Sequence, residues 1–206
     1  MVYVDDFVLT GNDLAEIDSI TEQLDQKFKI KDLGDLKYFL GMEVASSSKG
    51  IHLCQHKYAL DILEDFGFLE RKPTSTPMDY TSASKLSRGS DNALEDRALY
   101  RQLVGKLLYL TNTRPDLAYA MGIISQFIDC PTDVHLQAAH RVLWYLKGSP
   151  SVGLFFLPAN DLKLTGFLDW ATCADSRKFI TAIVSTLESH SLDEKTRNRT
   201  LLRGRP

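Results

Sequence analysis

The sequence predicts an α+β protein in which short antiparallel hairpins and amphipathic helices occupy separate stretches of the chain. Short runs of β-branched and aromatic residues, bounded by turn residues, occur near the start and again after residue 151, which favours strands. The middle of the chain instead spaces its leucines by three and four residues, as amphipathic helices do. The chain has 206 residues and a hydrophobic fraction of 44%, the apolar content of an ordinary globular protein.

The first predicted element is a hairpin whose strands, Val2–Val4 and Phe7–Thr10, meet at two adjacent acids, Asp5 and Asp6. A helix follows, because the next apolar residues recur at three- and four-residue steps. These residues are Leu14, Ile17, Ile20, Leu24 and Phe28.

A second hairpin and a second helix are predicted next. The stretch Leu36–Val44 favours a strand that pairs back with Ile51–Cys54 across a turn at Ser46–Gly50. The helix runs from about His56 to Phe66 and ends at Gly67, the residue type that a left-handed helix cap prefers.

Residues 72–92 contain two prolines and many hydroxyl side chains, which predicts a linker or an extended surface segment. Helices are predicted over Asp96–Leu110, from Thr113 with Pro115 in its first turn, and over Pro131–Gly148. The residues predicted to face the core are Leu99, Leu103, Leu107 and Leu110 in the first of these helices, and Leu136, Ala139, Leu143 and Leu146 in the last.

Strands return between Val152 and Leu168, and beyond Lys178 the polar, basic tail predicts a solvated, disordered end. The net charge of −3 gives no global positive field of the kind that nucleic-acid binders carry. Three widely spaced cysteines favour reduced thiols. The chain shows neither a membrane-length apolar run nor a signal-peptide pattern at its start, so we expect a soluble, intracellular protein with no membrane partner.

The paired acids Asp5 and Asp6 have two readings. Adjacent carboxylates tolerate each other when a divalent cation neutralises them, and Mg²⁺ prefers hard oxygen ligands shared with substrate phosphates. A hairpin that presents two acids near one point suits a two-metal phosphoryl-transfer site. The alternative is an ordinary surface turn, where Asp-Asp pairs are common.

Several segments together resemble one family. Tyr3-Val4-Asp5-Asp6, followed by an apolar strand and Thr10-Gly11, resembles the catalytic hairpin of reverse transcriptases. Later segments are similar, in the same order, to segments of copia-type LTR-retrotransposon Pol polyproteins, and the similarity spans residues 1–178. These segments are Lys31–Gly41, Pro73–Met78, Tyr100–Leu110 with Thr113–Asp116, and Ala138–Gly148.

The resemblance implies a domain layout. It places the C-terminal part of a polymerase palm at residues 1–71, a linker at 72–95, a helical thumb or connection region at 96–150, the start of a truncated RNase H-like domain at 151–178 and a degenerate tail at 179–206. It also implies that Asp5 and Asp6 are catalytic acids that bind Mg²⁺. The implied partners are nucleic acid, as an RNA or DNA template with its primer, and other Pol segments.

The sequence departs from the family pattern in two places. The family carries a third catalytic aspartate and the fingers upstream of the hairpin, and nothing before Met1 supplies them here, so we expect no independent polymerisation. Asp169 lies where the family begins its RNase H site, but the stretch around it has one aspartate where the family has two. We therefore expect Asp169 to support no RNase H activity.

Two other functions stay open on the sequence. In the first, the helices at residues 96–148 form a non-catalytic module that binds nucleic acid or another Pol chain, with Arg141, Lys147 and Trp144 lining a groove. Trp144 and Tyr145 fit a helical core equally well. In the second, the chain is a relic without a selected role.

His135 and His140 are five residues apart, off the spacing that shares a metal, which favours solvated or partner-facing histidines.

Overall fold

A computed structural model describes residues 2–3, 6–79, 86, 93–157, 163–167, 184–188 and 199–204 of the chain. It confirms the mixed α+β class. The chain divides into two compact units. The sheet unit comprises Met1–His52, Phe155–Lys163 and Leu187–Pro206, and the helical unit comprises Leu53–Leu154 and Leu164–Thr186.

The sheet unit contains a four-stranded antiparallel sheet backed by one long helix. Its elements, in chain order, are β1 (Val2–Tyr3), β2 (Asp6–Thr10), α1 (Leu14–Phe28), β3 (Ile30–Asp35) and, near the C-terminus, β10 (Arg199–Gly204). The strand order is β1-β2-β10-β3. The residues buried in this part of the unit are Val8, Ile17 and Ile30.

Local chemistry explains both ends of α1. Asp13 caps its start, where one carboxylate oxygen accepts from the backbone N–H groups of Ala15 and Glu16 at 2.9 and 3.3 Å. Lys29 ends it in the left-handed region, with φ of 50°, and donates its N–H to the Asp25 carbonyl. The helix therefore confirms the prediction from apolar spacing. Of the five apolar residues that predicted it, Ile17 is the one that is buried.

The second hairpin differs from its prediction. Instead of one strand over Leu36–Val44, the chain forms β4 (Tyr38–Phe39) and β5 (Met42–Ser47), joined by Leu40 and Gly41. Both joining residues have positive φ, 49° and 74°, which turns the chain back after two residues. Strands β5, β6 (Gly50–Cys54) and β7 (Leu154–Phe156) continue that sheet in the order β4-β5-β6-β7.

The helical unit packs four α-helices around one apolar core. They are α2 (His56–Asp65), α3 (Arg97–Leu110), α4 (Ala118–Ile124) and α5 (Asp133–Gly148), with 3₁₀ turns at Pro115–Leu117 and Ser125–Phe127. The fully buried members of the core include Ala59, Ile62, Leu63, Tyr100, Leu103, Val104, Leu107, Leu117, Met121, Ala139, Val142, Leu143 and Leu146. One predicted core position is wrong, since Leu99 is exposed. Leu136 is partly buried and packs against the core.

Part of the predicted linker packs against α5. The Thr74 N–H donates to the Trp144 carbonyl at 3.2 Å, and Met78 is buried. The predicted disordered tail also contains regular structure, because β9 (Val184–Glu188) pairs with β8 (Lys163–Phe167) and β10 joins the first sheet. In β10, hydrogen bonds to the strands on both sides pair the backbone N–H and C=O groups, which would bond to water in a disordered segment.

Candidate catalytic hairpin

The hairpin of β1 and β2 is the part of the structure that contains the predicted catalytic acids. In this hairpin Val2 pairs with Phe7 and Tyr3 pairs with Asp6. Asp6 is half-buried and opens β2. Asp5, the other predicted metal ligand, and Asp169, the predicted RNase H carboxylate, lie outside the described residues.

Backbone pairing gives the neighbours of Asp6 in the sheet. Strand β10 is antiparallel to β2, and its register pairs residue 203 with Asp6, while Tyr3 is paired with Asp6 on the other side. On its far side β10 pairs with β3. Asp6 therefore lies in an interior strand of this sheet.

The described part of this site includes one of the two predicted metal ligands, Asp6. Wherever the structure describes the chain, no three His, Cys, Asp or Glu side chains converge on one point. Carboxylates such as those of Asp5 and Asp6 are the hard oxygen ligands that Mg²⁺ prefers.

The basic face of α5 binds its own chain. Arg141 donates to the Thr76 hydroxyl at 3.0 Å, and Lys147 donates to the Leu69 carbonyl. Trp144 packs on Phe68, with ring centroids 6.0 Å apart. Arg141, Trp144 and Lys147, the three residues predicted to line a nucleic-acid groove, thus contact the segment of residues 68–76 of the same chain.

The two histidines of α5, predicted to be solvated or partner-facing, differ in burial, since His135 is buried and His140 is partly buried. His135 is 1% exposed and closes a capping box, in which its Nδ1 accepts from the Thr132 N–H at 3.0 Å. Its ring stacks on Phe127 at 4.0 Å. His140 packs on Phe68 at 5.0 Å, and burial, together with the charge of Arg71, holds the pKa of His140 below its usual value.

An ion pair between the buried Arg114 and the solvent-accessible Asp116 ties the turn after α3 to the end of α5. Arg114 is 1% exposed, and its Nε and Nη2 donate to the two carboxylate oxygens of Asp116 at 2.9 and 2.8 Å. Its Nη1 donates to the Ser149 carbonyl at 2.6 Å, and the Tyr145 hydroxyl donates to Asp116 at 2.9 Å. Burial raises the pKa of Asp116, but the bonds and charge of Arg114 outweigh it and hold that pKa below its usual value.

Sequence reasoning missed this network. It treated Thr113-Arg114-Pro115-Asp116 as a helix start, which a 3₁₀ turn at Pro115–Leu117 partly confirms. An arginine two residues before an acid in a proline turn is compatible with a bidentate pair. Burial of that pair depends on Ser149 and Tyr145, which are distant in sequence, so spacing alone could not reveal it.

Comparisons with known proteins identify a family and several relatives to which this chain is similar. The family described as "Reverse transcriptase (RNA-dependent DNA polymerase)" matches residues 1–80. The retrovirus-related Pol polyproteins from transposons RE1 and RE2 of Arabidopsis thaliana are each 43% identical, over 173 and 177 residues, which is 83% and 85% of this chain. An uncharacterized mitochondrial protein of Arabidopsis thaliana is 37% identical over 189 residues, covering 91% of this chain and 78% of that protein.

The extent of these matches differs between the relatives. The chain spans 12% of the length of the RE1 and RE2 polyproteins. No solved structure matches. In the described ranges, no helix has both the length and the apolar character needed to cross a bilayer.

Proposed function

Because this chain belongs to the reverse transcriptase family of copia-type, retrovirus-related transposon Pol polyproteins, we propose that it supplies the catalytic hairpin of an RNA-directed DNA polymerase. Residues 1–71 form the C-terminal part of the palm, 96–150 the thumb or connection region, and 151–178 the start of an RNase H-like domain. Asp5 and Asp6 contribute carboxylates to a divalent ion, Mg²⁺, and the partners are a template–primer and other Pol segments.

The single observation that carries this proposal is the placement of Asp6. Asp6 opens β2 and is paired directly opposite Tyr3 in a short hairpin. Phosphoryl-transfer chemistry requires carboxylates held in fixed positions, and a paired strand holds its residues in that way. Reverse transcriptases as a family use divalent metal, and carboxylates are suited to hold it.

The 206 residues alone lack the third carboxylate that the family uses, whatever flanks them in a longer protein. We therefore propose that a polypeptide of these residues does not polymerise by itself. Asp169 is proposed as the position of the first RNase H acid, without RNase H activity in this chain.

A chimera tests the proposal. The segment of the RE1 Pol polyprotein that matches this chain is replaced by the chain's own residues, and primer extension on an RNA template is measured with Mg²⁺. We expect incorporation that falls by at least about a hundredfold in Asp5→Asn and in Asp6→Asn, because each change removes a charge needed in the transition state. Asp13→Asn is the matched control, since Asp13 caps α1 and asparagine caps nearly as well.

Binding separates a failed function from a failed fold in this experiment. A chimera that binds template–primer as tightly as the parent, yet extends no primer, would contradict the proposal. So would a chimera whose extension survives both Asp5→Asn and Asp6→Asn.

A further inference from the structure

The segment of residues 69–78, which contacts α5, contains a threonine followed directly by a proline, Thr76-Pro77. Residues 71–79 form neither a helix nor a strand, and Thr76 is exposed. Proline-directed protein kinases transfer phosphate to a serine or threonine that immediately precedes proline, and they bind the acceptor segment in an extended form. Thr76 therefore meets both the sequence requirement and the exposure requirement of such an acceptor.

Arg141 is placed to bind a phosphate on Thr76. Its Nη2 donates to the Thr76 hydroxyl oxygen at 3.0 Å. Its Nε is buried and has no hydrogen-bond partner among the residues that the structure describes. A phosphate attached to that hydroxyl oxygen would lie beside the guanidinium and offer three acceptor oxygens, which suit a two-bond contact with an arginine. It would thus satisfy a donor that the threonine hydroxyl does not.

The sequence contains one other serine or threonine that is followed by proline, Ser149 before Pro150. Ser149 is partly buried at the end of α5, and its hydroxyl oxygen accepts from Nη2 of Arg114 at 3.3 Å. The same nitrogen is 2.8 Å from the carboxylate of Asp116. A phosphate on Ser149 would repel this carboxylate. The surroundings of the two hydroxyl groups therefore favour Thr76 as the acceptor.

The attachment of the segment to α5 allows it to open and close. The hydrogen bonds that Arg141 and Lys147 donate to the segment are exposed to solvent. The Thr74 N–H donates to the Trp144 carbonyl at 3.2 Å. Segments held by solvent-exposed hydrogen bonds open locally at low cost, which gives a kinase access to Thr76. A phosphate bound by Arg141 then holds the closed segment more tightly.

We propose that Thr76 is a phosphorylation site and that Arg141 binds the phosphate, which locks residues 69–78 onto α5. In the reaction the Thr76 hydroxyl oxygen attacks the γ-phosphorus of ATP, and the bond from that phosphorus to the β–γ bridging oxygen breaks. ADP leaves, and the hydroxyl proton passes to the base of the kinase. The phosphate places about two negative charges next to a guanidinium that is always protonated. The site lies within the helical unit, and neither it nor its tests rest on the proposed polymerase function.

Phosphorylation in vitro tests the acceptor. The full chain is incubated with ATP and a proline-directed protein kinase, and the modified residue is located by mass spectrometry. We expect phosphate on Thr76, none at this position after Thr76→Ala, and loss of most of it after Pro77→Ala. Ser75→Ala is the matched control, since Ser75 is an exposed neighbour that does not precede a proline. Phosphate on Ser149 in place of Thr76, or a chain that stays unmodified, would overturn the proposal.

Hydrogen exchange tests the role of Arg141. The Thr74 amide is measured, because its bond to the Trp144 carbonyl reports whether the segment is attached to α5. We expect phosphorylation to slow its exchange by about tenfold, as one new charge-assisted hydrogen bond would. In Arg141→Met the phosphate should produce no slowing. Lys147→Met is the matched control, since Lys147 holds the same segment through the Leu69 carbonyl, and there the slowing should persist.

The exchange rates with and without phosphate are compared within each variant, and protection of the α3 amides shows that each variant is folded. Equal or faster exchange of the Thr74 amide in the phosphorylated, otherwise unmodified chain would refute the lock. Slowing of the same size in Arg141→Met would refute Arg141 as the partner of the phosphate. Loss of the slowing in Lys147→Met as well would also refute it, because any weakening of the segment would then have the same effect.

Discussion

Replacing Arg114 by methionine should destabilise the helical unit by about 2 kcal/mol. A hydrogen bond that involves a charged group contributes about 1.5–3 kcal/mol, and the buried Arg114 donates to both Asp116 and the Ser149 carbonyl. The cost is below that of breaking a fully buried ion pair, because 34% of the Asp116 side chain remains accessible to solvent. Methionine keeps the length of the side chain and leaves the packing around α5 largely intact.

Urea unfolding measures this change. Trp144 lies on α5 and reports on the helical unit when Trp170 is replaced by phenylalanine in every variant. Arg101→Met is the matched control, because Arg101 is exposed and donates one bond, at 3.2 Å, to the Ile128 carbonyl. We expect the control to cost about 1 kcal/mol or less. Tyr145→Phe removes a single bond to Asp116 and should cost about 1–2 kcal/mol.

The pH dependence supplies an independent check on the same pair. The folded pKa of Asp116 is below its usual value, so its contribution is complete above pH about 4 and is lost as the pH falls through the folded pKa. The gap between the unmodified chain and Arg114→Met should narrow in that acid range. Equal costs for Arg114→Met and Arg101→Met at pH 7 would refute the reasoning, because burial of the pair would then carry no energy.

The remaining predictions concern α5 and the glycines. The pKa of His140 is lower in the folded chain than in the unfolded chain, so the unfolded chain binds a proton more readily. The free energy of unfolding should therefore fall as the pH drops below about 6.5. His140→Gln should reduce this pH dependence in urea titrations between pH 7.5 and 5. Gly153→Ala should destabilise the chain by about 2 kcal/mol or more, because its new Cβ would lie 2.2 Å from the Leu53 carbonyl oxygen. Gly105→Ala, in α3 with nothing within 4 Å of the new Cβ, should instead stabilise by up to about 1 kcal/mol. Midpoints that move in the same direction for both glycine variants would contradict the packing argument.

Local patterns predicted the elements whose stability is mostly local. The spacing of Leu14, Ile17 and Ile20 predicted α1, and the His56–Phe66 pattern predicted α2, which the structure ends one residue earlier. The helical core followed from leucine spacing except at Leu99, which is exposed. Leucine spacing did not predict that His135 is buried, where its ring caps the helix and stacks on Phe127.

Features that depend on distant partners were not predictable in this way. The break between β4 and β5 requires Leu40 to adopt a positive φ, which its residue type disfavours. Strand β10 forms because β2 and β3 offer edges on either side, and its own sequence shows no sustained period. The residue opposite Asp6 could therefore not be read from the sequence, although the acid itself could.

Primer extension by the 206-residue polypeptide tests the proposed function most directly, namely that Asp5 and Asp6 belong to a polymerase site that needs a third carboxylate from outside these residues. With template–primer and either Mg²⁺ or Mn²⁺, we expect no template-directed incorporation. Incorporation that disappears in Asp6→Asn would contradict it, because these residues would then form a complete active site.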